Sequence, residues 1–175
     1  MSIAFYRDPD WVGEMMDTLT ELWITVLRRV LPHVDVDFSS WWEDMCYNRG
    51  PLLGVRHFEE FMVPRYRKVV NVLEEHGVRV HFLDCDGDIS ALAPGWLEAG
   101  VNGMFPNEAR FTDSYELRER YGRDVLLMGT VNKMALLEGG GFIPMVDHRC
   151  PPEVSYSTYQ YYLKKKREWI GRAMP

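Results

Sequence analysis

Residues 78–88 read Val-Arg-Val-His-Phe-Leu-Asp-Cys-Asp-Gly-Asp, and residues 89–106 continue Ile-Ser-Ala-Leu-Ala-Pro-Gly-Trp-Leu-Glu-Ala-Gly-Val-Asn-Gly-Met-Phe-Pro. Val78, Val80, Phe82 and Leu83 make a short apolar run that ends in acids, the pattern of a buried strand. Ile89 to Ala99 has helical spacing and is closed by Gly100. Val101 to Pro106 is a second short strand. A strand, a helix and a strand in such close succession form a βα unit, which predicts a parallel sheet.

The same alternation extends both ways. Upstream, Asp8-Pro9 sets a cap before a proline suited to the first helical turn, and apolar residues recur at three-and-four spacing from Trp11 to Val30 until Pro32. Val34, Val36, Phe38 and Ser40 alternate with polar residues, predicting a strand that runs into Trp41-Trp42-Glu43-Asp44. A Gly50-Pro51 loop leads to a helix over about 55–76, with Pro64 expected to kink or split it. Downstream come a helix at Asp113–Tyr121, strands at Val125–Val131 and Gly141–Val146, and a last helix, Tyr156–Arg172, capped by Ser155.

Only nine residues, Asn132–Gly140, separate the last two strands, short of the ~10–12 that a crossover with its helix needs. Five strands also fall short of the eight of a closed (β/α) barrel. The reading is therefore an α/β fold of the parallel (β/α) barrel type, incomplete, with about five βα units in a single domain over residues 1–175. Open sheet edges and thinly covered strands predict self-association, with the Trp- and Met-rich first helix folding back over an edge as the alternative.

Composition narrows the function. The chain has 175 residues, is 46% hydrophobic and 26% charged, and carries a formal net charge of −6. That excludes disordered, collagen-like and low-complexity classes. No apolar run approaches the ~18 residues of a membrane span, and the first residues do not read as a signal peptide. Cys46, Cys85 and Cys150 form no CxxC pair, so a reducing, cytoplasmic setting is expected. Residues 1–88 hold 16 acids and 9 bases, and no basic stripe suits nucleic acid.

Acids, Gly and His gather just after strand ends, where parallel α/β folds carry their sites. Asp84, Asp86 and Asp88 alternate, which suits convergence on a cation, a substrate base or a proton. A calcium loop is excluded because its sixth and twelfth positions are Ile89 and Gly95. Asp88 is also placed to cap the helix that follows. His148, beside Asp147 after the last strand, suits a general acid/base or a metal ligand. Glu43 and Asp44 are adjacent, so only one of them can face a site. His81, inside a strand, reads as structural. Neither GxxxxGK[ST] nor GxGxxG occurs.

Three segments carry a family resemblance: WWEDMCYNRGPLLGVRHFEEFMVPRYRKVVNVLEEHGV at 41–78, HFLDCDGDISALAPGWLEAGVNGMFPNEA at 81–109 and GFIPMVDHRCPPEVSYSTYQYYL at 141–163. In this order they resemble the uroporphyrinogen decarboxylase superfamily, which includes porphyrinogen decarboxylases and cobamide-dependent methyltransferases. The resemblance implies a TIM barrel with its site at the strand C-termini, and here its C-terminal part. The decarboxylase branch works without a cofactor, through arginines and an aspartate from its N-terminal region. The methyltransferase branch holds zinc through a His-x-Cys pair, where this chain has Asp84 and Asp86.

The methyltransferase branch is the closer match, through D-x-D-G-D and P-x-x-D-H-R. It implies methyl transfer from a small methylated substrate to a corrinoid on a partner protein. The alternatives are a porphyrinogen carboxy-lyase and a non-catalytic fragment acting only within an assembly. The implied roles are catalytic for Asp86, His148 and Glu43, and substrate-binding for Trp42, Asp44, Tyr47, Asn132 and Arg149. An oxygen-rich metal set, with zinc as the candidate ion, would draw on Asp84, Asp86, Glu108 and His148. The expected partners are a small-molecule substrate, a corrinoid protein and a second copy of the chain, with no nucleic acid and no membrane.

Overall fold

The computed structural model describes residues 3–129, 142–144 and 155–173. A short helix α1 (Ala4–Arg7) precedes α2 (Pro9–Val30), whose first turn is capped by Asp8 Oδ1 accepting from Trp11 N at 3.2 Å. Strand β1 is Ser39–Trp42, and β2 (Cys46–Tyr47) and β3 (Gly50–Pro51) make a small antiparallel hairpin. Then come α3 (Val55–His57), a π-helical turn (Phe58–Met62) and α4 (Val63–Glu75). The second half runs β4 (His81–Asp84), α5 (Ala93–Glu98), β5 (Gly103–Phe105), α6 (Ser114–Tyr121), β6 (Leu126–Gly129), β7 (Phe142–Pro144) and α7 (Tyr156–Ala173).

Strands β1, β4, β5, β6 and β7 form one sheet in that order, and every neighbouring pair is parallel. The fold is thus α/β, an open run of (β/α) barrel strands. Leu83, Met104 and Leu127 stand in one row across β4, β5 and β6 and are fully buried. They pack with Phe58, Tyr66 and Val70 of the helix before β4, Trp96 of α5 and Leu117 of α6. Burying such a row against helices is the main stabilising term of a parallel sheet. The alternate positions Trp42, Asp84 and Phe105 face the other way, into what a barrel would enclose.

A second cluster joins Ile24 of α2 and Leu31, just past its end, to Val72, Leu73 and Val78, with Trp41 against it. Arg65 fastens α2 to α4: its guanidinium donates to Asp17 Oδ2 at 2.7 Å, Gly13 O at 3.0 Å and Phe61 O at 2.7 Å.

Three local expectations change. Residues 34–38 alternate but form no strand; the ladder with β4 starts at Ser39, and alternation without a partner strand is not sheet. The helix expected over about 55–76 is divided, but by the π-helical turn at Phe58–Met62 rather than at Pro64 itself, which stands in the first turn of α4 where its missing N–H is tolerated. The residues after Asp88 make turns over 90–92 before α5 begins at Ala93. The short connection at Asn132–Gly140 lies outside the described residues. No described helix is long and apolar enough to cross a membrane.

Candidate active site

All five sheet strands point the same way, so their C-termini share one rim. Glu43 N donates to Asp84 O at 2.9 Å, and Cys85 N donates to Phe105 O at 2.8 Å, which holds the turns after β1, β4 and β5 side by side. The Asp84–Asp88 turn is fixed from three directions. Glu108 Oε2 accepts from Gly87 N at 2.6 Å. Thr112 Oγ1 donates to Gly87 O at 2.8 Å and accepts from Ile89 N at 3.2 Å. Asp88 N donates to Tyr47 O at 3.0 Å, tying the turn to the hairpin. Asp88 Oδ1 accepts from Ser90 N at 3.0 Å, a local turn rather than the expected helix cap, because α5 begins only at Ala93 and its N-cap Leu92 carries no side-chain cap.

The turn after β5 is equally constrained. The Phe105–Pro106 peptide is cis, and Asn107 has φ of 50°. Asn107 Nδ2 donates to Met104 O at 2.6 Å and to Met128 O at 3.3 Å, spanning from β5 to β6.

The two acids after β1 separate, as strand alternation requires. Asp44 goes with the outward Trp42, whose Nε1 donates to Asp44 Oδ2 at 3.0 Å. Glu43 turns to the helix side, half-buried beside Tyr66. Burial pushes its carboxyl pKa up, and the Tyr66 hydroxyl partly offsets this. That hydroxyl is buried without a hydrogen bond of normal geometry, as is Trp96 Nε1, and burial followed by the Glu43 charge pushes the Tyr66 pKa up. His81 is also on the helix side, with Nδ1 2.9 Å from Ser39 Oγ, which in turn accepts from Trp41 Nε1 at 3.0 Å. Burial pushes the His81 pKa down.

Cys85 faces the core and is 1% exposed. It neighbours the buried Cys46 of the hairpin, whose thiol lowers the Cys85 pKa while its own is pushed up by the Cys85 sulfur.

The rim thus brings together Trp42, Asp44, Tyr47, Asp84, Asp86 and Glu108. The register sets Trp42, Asp84 and Phe105 next to one another across β1, β4 and β5, on the face turned from the helices. Trp42 is 82% exposed and Tyr47 65%. The row of Trp42, Asp84 and Phe105 was missed from sequence because register, not composition, creates it. Asn132, His148 and Arg149 lie outside the described residues.

Glu108 is engaged by Gly87 N, and Cys85 is turned into the core. Among the described residues no three His, Cys, Asp or Glu side chains are arranged to hold an ion. The described residues do not fit a thiolate zinc centre.

A groove of about 930 Å³ lies away from the rim, lined in part by Asp10, Glu14, Asp17, Glu21, Glu60 and Arg65. Its acids are partly neutralised by Arg65 and Lys68.

A family model described as uroporphyrinogen decarboxylase (URO-D) matches residues 2–144. No curated protein and no solved structure matches the chain.

Proposed function

Because the chain belongs to the uroporphyrinogen decarboxylase family, we propose that it binds a small methylated ammonium compound at the strand-end rim and takes part in methyl transfer to a corrinoid carried by a partner protein. The observation that carries this reading is the row Trp42, Asp84, Phe105, with Asp44 bonded to the Trp42 indole. An aromatic face beside carboxylates is the chemistry that recognises alkylated ammonium ions. Asp44, Asp84, Asp86, Asp88 and Glu108 outnumber Arg49 and Arg110 around these turns. A polycarboxylate such as a porphyrinogen would be repelled there, which disfavours the carboxy-lyase reading.

The chain's own residues would act by binding and orientation. Asp84 and Asp44 hold the cation by charge, and the Trp42 ring covers its methyl groups. The bonds at Gly87 and Asn107 fix the turns, so these groups need little reordering when a ligand arrives. A reduced corrinoid supplies the nucleophile when bound. The C–N bond breaks with its electron pair left on nitrogen, and the amine departs neutral, so no proton need be delivered. The exposed faces of Trp42 and Tyr47 suit the approach of a flat macrocycle.

The test is calorimetric titration with tetramethylammonium, followed by transfer of an isotope-labelled methyl group to added reduced cobalamin. Asp84→Asn and Trp42→Ala should each weaken binding about tenfold or more, with thermal midpoints near the parent's. Carbon dioxide release from a porphyrinogen would replace this reading by the carboxy-lyase. Binding unchanged in both variants, or no label transfer, would overturn it.

A further inference from the structure

Two cysteines distant in sequence meet beneath the rim. Cys46 opens the β2–β3 hairpin, and Cys85 stands in the turn after β4, between Asp84 and Asp86. Both are free and belong to the main core cluster. Their thiols are hydrogen-bonded to each other, and the Cys85 sulfur also accepts from the backbone of Met45 and Cys46. A buried cysteine ordinarily packs as a small apolar side chain and is inert for want of access. Two features set this pair apart. The first is contact. The hairpin and the turn already touch, with Asp88 N donating to Tyr47 O at 3.0 Å and no room for a β-carbon on Gly87. The sulfurs need only close from hydrogen-bond to covalent distance. The second is a way in. The hairpin is held by two residue pairs, Cys46 with Pro51 and Tyr47 with Gly50, and Tyr47 and Leu52 on it are exposed. So short a ladder opens locally at small cost, and opening bares Cys46 together with the Cys85 sulfur it lies against.

We propose that Cys46 and Cys85 form a reversible oxidation site, at which a small hydroperoxide converts the two thiols to a disulfide that pins the hairpin to the Asp84–Asp88 turn. One sulfur attacks the peroxide, the O–O bond breaks, and a sulfenic acid and one water result. The second sulfur attacks the sulfenic sulfur, the S–O bond breaks, and the oxygen leaves as a second water. Two electrons pass from the sulfurs to the peroxide, and the two thiol protons end on the waters. A dithiol reductant returns two electrons and two protons through a mixed disulfide and is itself oxidised. The turn is already fixed by Glu108 and Thr112, so the hairpin is the part that yields, and it carries Tyr47 with it.

The inference goes beyond the rim chemistry and holds whatever ligand the rim takes. The test uses the full chain with Cys150→Ser, which leaves this pair as its only cysteines. It is treated with hydrogen peroxide at neutral pH and read by intact mass, thiol titration in urea and non-reducing peptide mapping. Both thiols should be lost together, with a mass lower by about 2 Da, one link within the chain joining the Cys46 and Cys85 peptides, and full recovery in dithiothreitol. Amide hydrogen exchange at Asp88, whose N–H is bonded to Tyr47 O, should slow about tenfold or more on oxidation. Cys46→Ala should instead hold Cys85 as a sulfenic acid that dimedone traps. Mass and mapping require no change at either cysteine, so they decide the matter even if that variant does not fold. Survival of both thiols in the folded chain, under peroxide that consumes them in urea, would overturn the proposal. So would links formed only between chains, or exchange at Asp88 unchanged by oxidation.

Discussion

The turns after β4 and β5 and the flank formed by α2 and β1 belong to one sheet-and-helix layer, yet they are built on opposite principles. The turns are locked by contacts to backbone: Glu108 and Thr112 on Gly87, Asn107 on Met104 and Met128, and Tyr47 on Asp88. Little there depends on side-chain bulk. The flank presents Trp23, Leu22 and Phe38 at 55–61% exposure and holds itself through Arg65 and the buried side of α2. A site needs fixed backbone before a ligand arrives, whereas a contact surface needs only apolar area of the right shape.

The contrast breaks most severely at the glycines that let the turns cross. Gly129 has φ of 114°, and a β-carbon there would overlap the carbonyl oxygen of Pro106. Because that atom is backbone, Gly129→Ala should cost about 3–5 kcal/mol, read from the urea midpoint. A loss under about 1 kcal/mol would mean that the turn after β5 does not press on the end of β6.

Gly87 and Gly77 sharpen the point as a pair. Both have positive φ, 82° and 86°. A β-carbon on Gly87 would lie 2.5 Å from Tyr47 O, while one on Gly77 meets nothing within 4 Å. Gly77→Ala should therefore cost only the backbone strain, about 1 kcal/mol, and Gly87→Ala about 2–4 kcal/mol. Equal losses would show that the hairpin does not press on the Asp84–Asp88 turn.

Much of the architecture was legible in the sequence because its signals are local. Gly77, Gly100 and Gly122 end helices where a chain must reverse, and each has positive φ in the structure. The run before Asp84 and the strand and helix following it are short-range patterns, and the three family segments fall in order. What was not legible is cooperative. The hairpin at Cys46–Pro51 is two residues deep per strand, too short for alternation to register. The π-turn before Pro64 has no residue signature. Alternation implied that Glu43 and Asp44 would part, but which of them meets Tyr66 depends on how β1 lies on α4. The bond that Glu108 accepts from Gly87 N joins residues 21 positions apart.

The smallest expected effect distinguishes two buried titrating groups on the helix side of β1 and β4. Glu43 has a folded-state pKa above its ordinary 4.5, chiefly through burial. The folded chain therefore holds this proton more tightly than the unfolded one. The contribution to stability is complete below about pH 4.5 and is lost as pH rises through the raised value. His81 is shifted oppositely: burial lowers its pKa from 6.5, opposed by the smaller effect of the Glu74 charge and reinforced by that of Arg79. Its Nδ1 is bonded to Ser39 and its Nε2 is buried without a partner. Its contribution is present above about pH 6.5 and is lost as pH falls through the lowered value. The two slopes oppose each other between these limits, so the parent should show a shallow stability profile there. Urea midpoints from pH 4 to 8 separate the two. Glu43→Gln should leave a profile that climbs with pH as the histidine sheds its proton, and His81→Gln one that falls with pH as the carboxyl ionises. A Glu43→Gln profile parallel to the parent's would mean that Glu43 is solvated rather than held against Tyr66, and would return it to the open rim beside Asp44.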